Sequence, residues 1–234
     1  PSEVELIVGD STRLKIVEET GYPFRESIQF TFHPEREDRF PFHFRVPEWC
    51  SDPVVKVNGQ PWEEPDRQGV LMIDRTWKDG DQVVLTLPMS VKATSWYQFA
   101  KAIERGPLVY ALKIESRQET GFVSDRFRSF TQVHAASPWN FALIENKLTD
   151  LDQSIKVVEH EWDGRYPWNL ENAPIALKIS AVRLPEWQLS DGIPSLPAVW
   201  GRYRGPDLQP EEITLIPYGC TTLRITEFPV CRLE

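Results

Sequence analysis

Few residues in this chain are spaced so that they could do chemistry together. General acid–base catalysis at a single bond needs two carboxyl groups held on either side of it. The sequence offers two adjacent pairs, Glu63-Glu64 and Glu211-Glu212. Both stand next to proline in loop-like stretches and read as solvated faces. Cys50, Cys220 and Cys231 form no CxxC pair and have no histidine at zinc-finger spacing. They read as buried free thiols. Of the four histidines, His33 and His43 flank the charged segment 34–39 and could face each other across a sheet. Two histidines alone leave a metal short of ligands, so His33, His43, His134 and His160 read as strand residues. Neither a glycine-rich phosphate loop nor a Gly-x-Ser-x-Gly elbow is present.

The remaining chemical signal is aromatic. Tyr166, Trp168, Trp200 and Tyr203 lie in proline-rich loops, where binding residues collect. Trp96, Tyr97 and Phe99 cluster in one short segment, and Trp187 lies within another proline-rich stretch. Such rings have three uses: packing within the domain, covering an interface, or stacking on the C–H face of a sugar. Trp49, Trp62 and Trp77 sit at strand ends and read as packing residues.

The elements that must position these rings are strands. Phe42, Phe44 and Val46 alternate with polar residues until Pro47. Val55 and Val57 alternate before Asn58-Gly59, a strong hairpin signal. Residues 70–73 follow, then the Asp79-Gly80 turn, then alternation of Val83, Leu85 and Leu87. Upstream, Leu14 and Ile16, then Ile28, Phe30 and Phe32, alternate in the same way. About seven strands in roughly ninety residues is the size of one sandwich. Arg105-Gly106-Pro107 breaks the pattern, and Leu108, Tyr110, Leu112 and Ile114 resume it. The break predicts a domain boundary there. Residues 116–138 read as a loop with one strand near 127–133, and further strands are expected at 139–144, 155–158, 175–184, 213–217 and 223–225. The long segment 185–211 contains five prolines, and a loop of that length is functional, an interface, or poorly ordered.

At 234 residues the chain suits one large or two small all-β domains. A net charge of −9 disfavours nucleic acid and anionic membranes. No apolar run is long enough to cross a membrane as a helix. The start, PSEVELIVGD, has neither the basic nor the apolar region of a leader, and Val4, Leu6 and Val8 already alternate. The chain therefore reads as an excised segment.

One ordered set of blocks carries a resemblance. RVPEWC, VNGQ, RTWKDGD, LTLPM and ERGPLVYAL occur in that order, and EEITLIPYGCTTLRITEFP spans 211–229. The set is similar to the region behind the catalytic barrel in the β-L-arabinofuranosidases of glycoside hydrolase family 127. The resemblance implies an all-β fold of two tandem antiparallel β-sandwich (jelly-roll-like) domains, here expected at 1–103 and 104–234, forming the family's C-terminal region. It implies that an (α/α)6 barrel, for which this chain has no room, is the partner on which the sandwiches pack. The family's zinc-bound cysteine nucleophile, its further cysteine and glutamate ligands and its acid/base glutamate lie in that barrel. No position here matches them, so no catalytic residue, metal or cofactor is expected in this chain. The expected contact residues, to carbohydrate or to the barrel, are Trp96, Tyr97, Tyr166, Trp168, Trp187, Trp200 and Tyr203. An independent carbohydrate-binding module that recognises plant polysaccharide side chains is the alternative. Self-association through a bared docking surface is expected of the isolated chain.

Overall fold

The computed structural model describes residues 1–9, 11–63, 69–121, 129–196 and 208–233. The chain divides into two compact units, Pro1–Ser90 and Val91–Glu234.

The first unit has strands β1 (Ser2–Val8), β2 (Thr12–Thr20), β3 (Ser27–Pro34), β4 (Asp38–Arg45), β5 (Val54–Val57), β6 (Gln60–Pro61), β7 (Val70–Trp77) and β8 (Asp81–Thr86). Six of them form an antiparallel sheet in the order β1-β2-β3-β8-β5-β6, and β4 pairs with β7. Alternation decides which side chains turn inward. Leu14, Ile16, Phe32, Val55, Val57, Val83 and Leu85 come from the large sheet, and Phe40, Phe44, Leu71, Ile73 and Trp77 from the pair. They make one core, so the two sheets are the layers of a sandwich. The Asn58-Gly59 turn forms as its sequence predicts, with φ of 51° and 79°. Asn58 also donates its side-chain amide to buried Asp81 at 2.7 Å, and the Lys78 N–H donates to the same carboxylate at 2.9 Å. The turn and the start of β8 are thereby tied together. His33 lies in the large sheet and His43 in the β4–β7 pair, so they do not share a sheet surface.

The second unit has β9 (Val91–Ser95), β10 (Lys101–Arg105), β11 (Leu108–Leu112), β12 (Ser116–Gly121), β13 (Phe130–Ala135), β14 (Phe141–Ile144), β15 (Ile155–Glu159), β16 (Ile175–Arg183), β17 (Leu189–Ser190), β18 (Ile193–Pro194), β19 (Pro210–Pro217) and β20 (Val230–Cys231). An eight-stranded sheet runs β20-β14-β16-β19-β11-β10-β9, with β15 also paired to β16. The β14–β20 pair is parallel and the other pairs are antiparallel. Separate two-stranded ribbons are made by β12–β13 and β17–β18. The buried positions of the main sheet are chiefly aliphatic: Ile103, Leu112, Leu143, Ile175, Leu177, Ile179, Val182 and Leu215.

Three expectations change. A division at residue 103 falls inside β10, whose neighbours β9 and β11 pair with it on both sides. Gly106-Pro107 is a tight hairpin turn within that sheet, with Gly106 at φ 56°, and the units divide at Ser90 instead. Residues 116–121, SRQETG, form a strand although almost every side chain is exposed, because pairing with β13 needs no apolar face. Leu223 and Ile225 alternate but form no strand; the Ile225 carbonyl instead accepts a single hydrogen bond from the Leu112 N–H at 2.9 Å.

Candidate functional site

The β9–β10 hairpin presents three aromatic rings to solvent. Trp96 N–H donates to the Ala100 carbonyl at 2.9 Å, and Ala100 N–H to the Tyr97 carbonyl at 3.1 Å. Between them Gln98 and Phe99 have φ of 51° and 64°. Left-handed backbone costs a residue with a Cβ roughly 1–2 kcal/mol, so this tip is held against its local preference. Trp96, Tyr97 and Phe99 are 56%, 58% and 68% exposed.

Period-two alternation sends the two faces of this hairpin to different concavities. Ser95 and Lys101 join Phe99, Glu145, Leu148, Thr149 and Val230 around a space of about 640 Å³. On the other face, Ala102 and Glu104 join Trp96, Val109 and Tyr218 around a space of about 440 Å³. Register builds this second face. Glu104 pairs with Val109 across β10–β11, and Tyr110 pairs with Pro217 across β11–β19, which sets Tyr218 beyond Val109. Tyr218 opens a 3-10 turn, Tyr218–Cys220, at the end of β19. The Trp96 indole N–H donates to Thr94 Oγ1 at 2.9 Å, and the Thr94 hydroxyl donates to Glu104 Oε1 at 2.7 Å. The guanidinium of Arg224 lies 4.3 Å over the Tyr218 ring. Both rings are thus oriented by polar neighbours while remaining exposed.

The other aromatics expected at a site are scattered. Tyr166 is exposed in the loop before β16, and Trp168 is half-buried against Ala173, Ala176, Ile216 and Cys220. Gly219 makes room for Trp168, since a Cβ there would come within 2.7 Å of the indole. Neither ring lines the Trp96 concavity. Trp187 is 3% exposed, packed edge-on against Trp139 at 5.2 Å, and its indole N–H donates to the Ser195 carbonyl at 2.8 Å. It belongs to the core, so it cannot form part of a bare surface as its proline-rich surroundings suggested. Trp200 and Tyr203 lie outside the described residues. Sequence reasoning missed Tyr218, which reads as a turn residue; the only signal for it was an aromatic at the end of an alternating strand.

The carboxylate pairs do not converge. Glu211 and Glu212 are successive residues of β19 and so point to opposite faces, with Glu212 bonded to Lys178 at 2.7 Å. Glu63 is exposed and Glu64 lies outside the described residues. Cys50 packs in the core of the first unit, while Cys220 and Cys231 belong to different clusters of the second. Burial pushes the thiols of Cys220 and Cys231 up to about 11. These cysteines therefore do not fit a zinc-thiolate centre, which needs deprotonated sulfurs around one point. Among the described residues, no three of His, Cys, Asp or Glu gather as a metal site requires. Among the described residues, no helix is long and apolar enough to cross a membrane.

Residues 1–89 match the model of the β-L-arabinofuranosidase GH127 middle domain. A solved GH127 β-L-arabinofuranosidase from Geobacillus stearothermophilus T6 is similar over 97% of this chain and 32% of its own, at 22% identity and a TM-score of 0.61. A GH127 β-arabinofuranosidase is similar over 98% of this chain and 34% of its own, at 21% identity and a TM-score of 0.61. A further structure, described as a glycoside hydrolase, shares 23% identity over 98% of this chain and 34% of its own, with a TM-score of 0.59. The chain thus spans about a third of the solved structures it matches. No curated protein matches the sequence. What the family model matches is a middle domain, which corrects the expectation that the first unit belongs to a C-terminal region.

Proposed function

We propose that this chain is the non-catalytic β-sandwich region of a β-L-arabinofuranosidase-like glycoside hydrolase, and that it packs on and supports an (α/α)6 catalytic barrel outside the chain. The observation that carries this reading is one of extent: almost all of the chain aligns with about a third of proteins described as GH127 arabinofuranosidases. The middle-domain match over residues 1–89 supports it. In this reading the second unit is the domain that follows the middle one. The bare rings of Tyr97 and Phe99 suit a surface evolved to be covered, since monomers seldom expose clustered large apolar groups.

Two measurements test it. The purified chain is expected to turn over no chromogenic β-L-arabinofuranoside, with or without added zinc. Metal-dependent turnover that survives purification would overturn the non-catalytic reading. Co-expressed with the helical barrel of a GH127 β-L-arabinofuranosidase, the chain is expected to co-purify, and Tyr97→Ser with Phe99→Ser is expected to weaken the complex. Failure to co-purify, or indifference to both substitutions, counts against the packing role.

A further inference from the structure

We propose that the concavity between Trp96 and Tyr218 binds a neutral saccharide. The sugar lies with its C–H face on the two rings and its hydroxyls toward Glu104 and Glu227. This site stands apart from the packing role, which rests on Tyr97 and Phe99, so either can fail without the other.

The composition of the wall carries the inference. A saccharide is amphipathic: its ring C–H groups are apolar, and its hydroxyls both donate and accept. A site for it needs aromatic area and a few fixed polar groups at the rim. Trp96 and Tyr218 supply the area, and Val109, Leu108 and Ala102 the apolar floor. Glu104 and Glu227 supply the acceptors. Glu227 makes no hydrogen bond or ion pair among the described residues, so its carboxylate is available to two hydroxyls of one ligand. Glu104 already accepts from Thr94, which accepts from the Trp96 indole. That relay fixes the indole plane before any ligand arrives, which removes part of the ordering cost of binding. Arg224 over Tyr218 does the same for the second ring.

The same features argue against other ligands. An anion would meet two carboxylates. A cation would find one face of the Tyr218 ring already covered by the Arg224 guanidinium. A purely apolar ligand would strip water from Glu104 and Glu227 without replacing their hydrogen bonds, a cost that a hydroxyl-rich ligand avoids.

The test is calorimetric titration of the chain with arabinose and xylose oligosaccharides, alongside choline as a cationic probe. Saturable binding of an oligosaccharide is expected, and none of choline. Trp96→Ala and Tyr218→Ala should each weaken binding about tenfold, the loss of one ring's stacking and contact area. Glu227→Gln should weaken it less, because the amide still accepts one hydrogen bond. Tyr166→Ala, in a separate loop, should leave it unchanged. Near-UV circular dichroism shows whether each variant retains its packing. Absence of saturable sugar binding, retention of it in folded Trp96→Ala and Tyr218→Ala, or a preference for choline would each overturn the proposal.

Discussion

In the first unit, the rings of Phe30, Phe32, Phe40, Phe42, Phe44 and Trp77 meet one another edge-on, tilted or stacked, with Phe32 lying on Trp77 at 4.1 Å. In the second unit, Trp96, Tyr97, Phe99, Trp162, Tyr166 and Tyr218 are exposed, while Tyr110, Phe141, Trp187 and Phe228 are buried. Residue type does not separate these groups. The face to which each ring is turned does. The first unit's rings occupy alternate positions inside strands that face a second layer, so alternation drives them into a shared core. The second unit's exposed rings sit at a hairpin tip, in loops and at a strand end, where no opposing layer receives them. A ring turned into the shared core therefore serves stability, wherever it stands in its strand, and one left exposed is available for recognition.

The sharpest way to break that comparison is to remove the ring that should matter most. Trp77 is fully buried, stacks on Phe32 and donates its indole N–H to the Phe40 carbonyl at 2.9 Å. Trp77→Ala leaves a cavity and removes that hydrogen bond, and should cost about 3–5 kcal/mol in chemical denaturation. A loss below about 1 kcal/mol would mean that the aromatic cluster is not what holds the first unit.

The difference between the units also explains what could be read from the sequence. In the first unit Phe42 and Phe44, Val55 and Val57, and Val83 and Leu85 mark half-buried strands with period two, and Asn58-Gly59 marks its turn, so the sheet was legible. In the second unit the strands at 108–112, 141–144, 155–159, 175–183 and 210–217 were legible too, but other signals mislead. Gly106-Pro107 reads as a domain break but is a hairpin turn inside the sheet, because φ values for a turn and for a linker use the same residues. The strand SRQETG has no apolar face to announce it. Leu223 and Ile225 have the period of a strand but form none, the Ile225 carbonyl accepting instead from the Leu112 N–H. Trp187 sits among prolines, yet the Leu184–Trp187 turn folds it under Ser195, a tertiary event that local sequence does not encode. The site suffered most. Trp96 was visible as part of an aromatic segment, but its neighbour Tyr218 is brought to it only by the β10-β11-β19 order of the sheet.

The thiols sharpen the comparison at alkaline pH. Desolvation raises Cys50 in the first unit, and pushes Cys220 and Cys231 in the second from 9.0 to about 11. A folded value above the unfolded one means the native state retains protons that the unfolded chain has lost. That contribution is fully present below pH 9 and is lost as pH rises through about 11. The denaturation midpoint of the second unit should therefore fall across this window, and Cys220→Ala with Cys231→Ala should flatten the fall. At pH 8 a thiol reagent should label neither residue until the chain is unfolded. Rapid labelling of the native chain would show that the second unit opens far more readily than its packing implies.

The smallest expected effect concerns a large side chain. Phe99 is 68% exposed and holds φ of 64°, in the left-handed region that favours glycine. Deleting a buried phenyl ring costs about 3–5 kcal/mol. Phe99→Gly removes a ring with little buried area and relieves a backbone strain of roughly 1–2 kcal/mol. Glycine's extra freedom in the unfolded chain takes back about 0.5–1 kcal/mol of that relief. The net change should fall between neutral and a stabilisation of about 1 kcal/mol, read as the shift in denaturation midpoint at constant slope. A destabilisation of 2 kcal/mol or more, on the scale of about 1 kcal/mol for ordinary substitutions, would mean that the hairpin tip is packed as the rings of the first unit are. If the substitution is neutral or stabilising, a phenylalanine that strains its own backbone and supports no core has been kept for what it touches outside the chain.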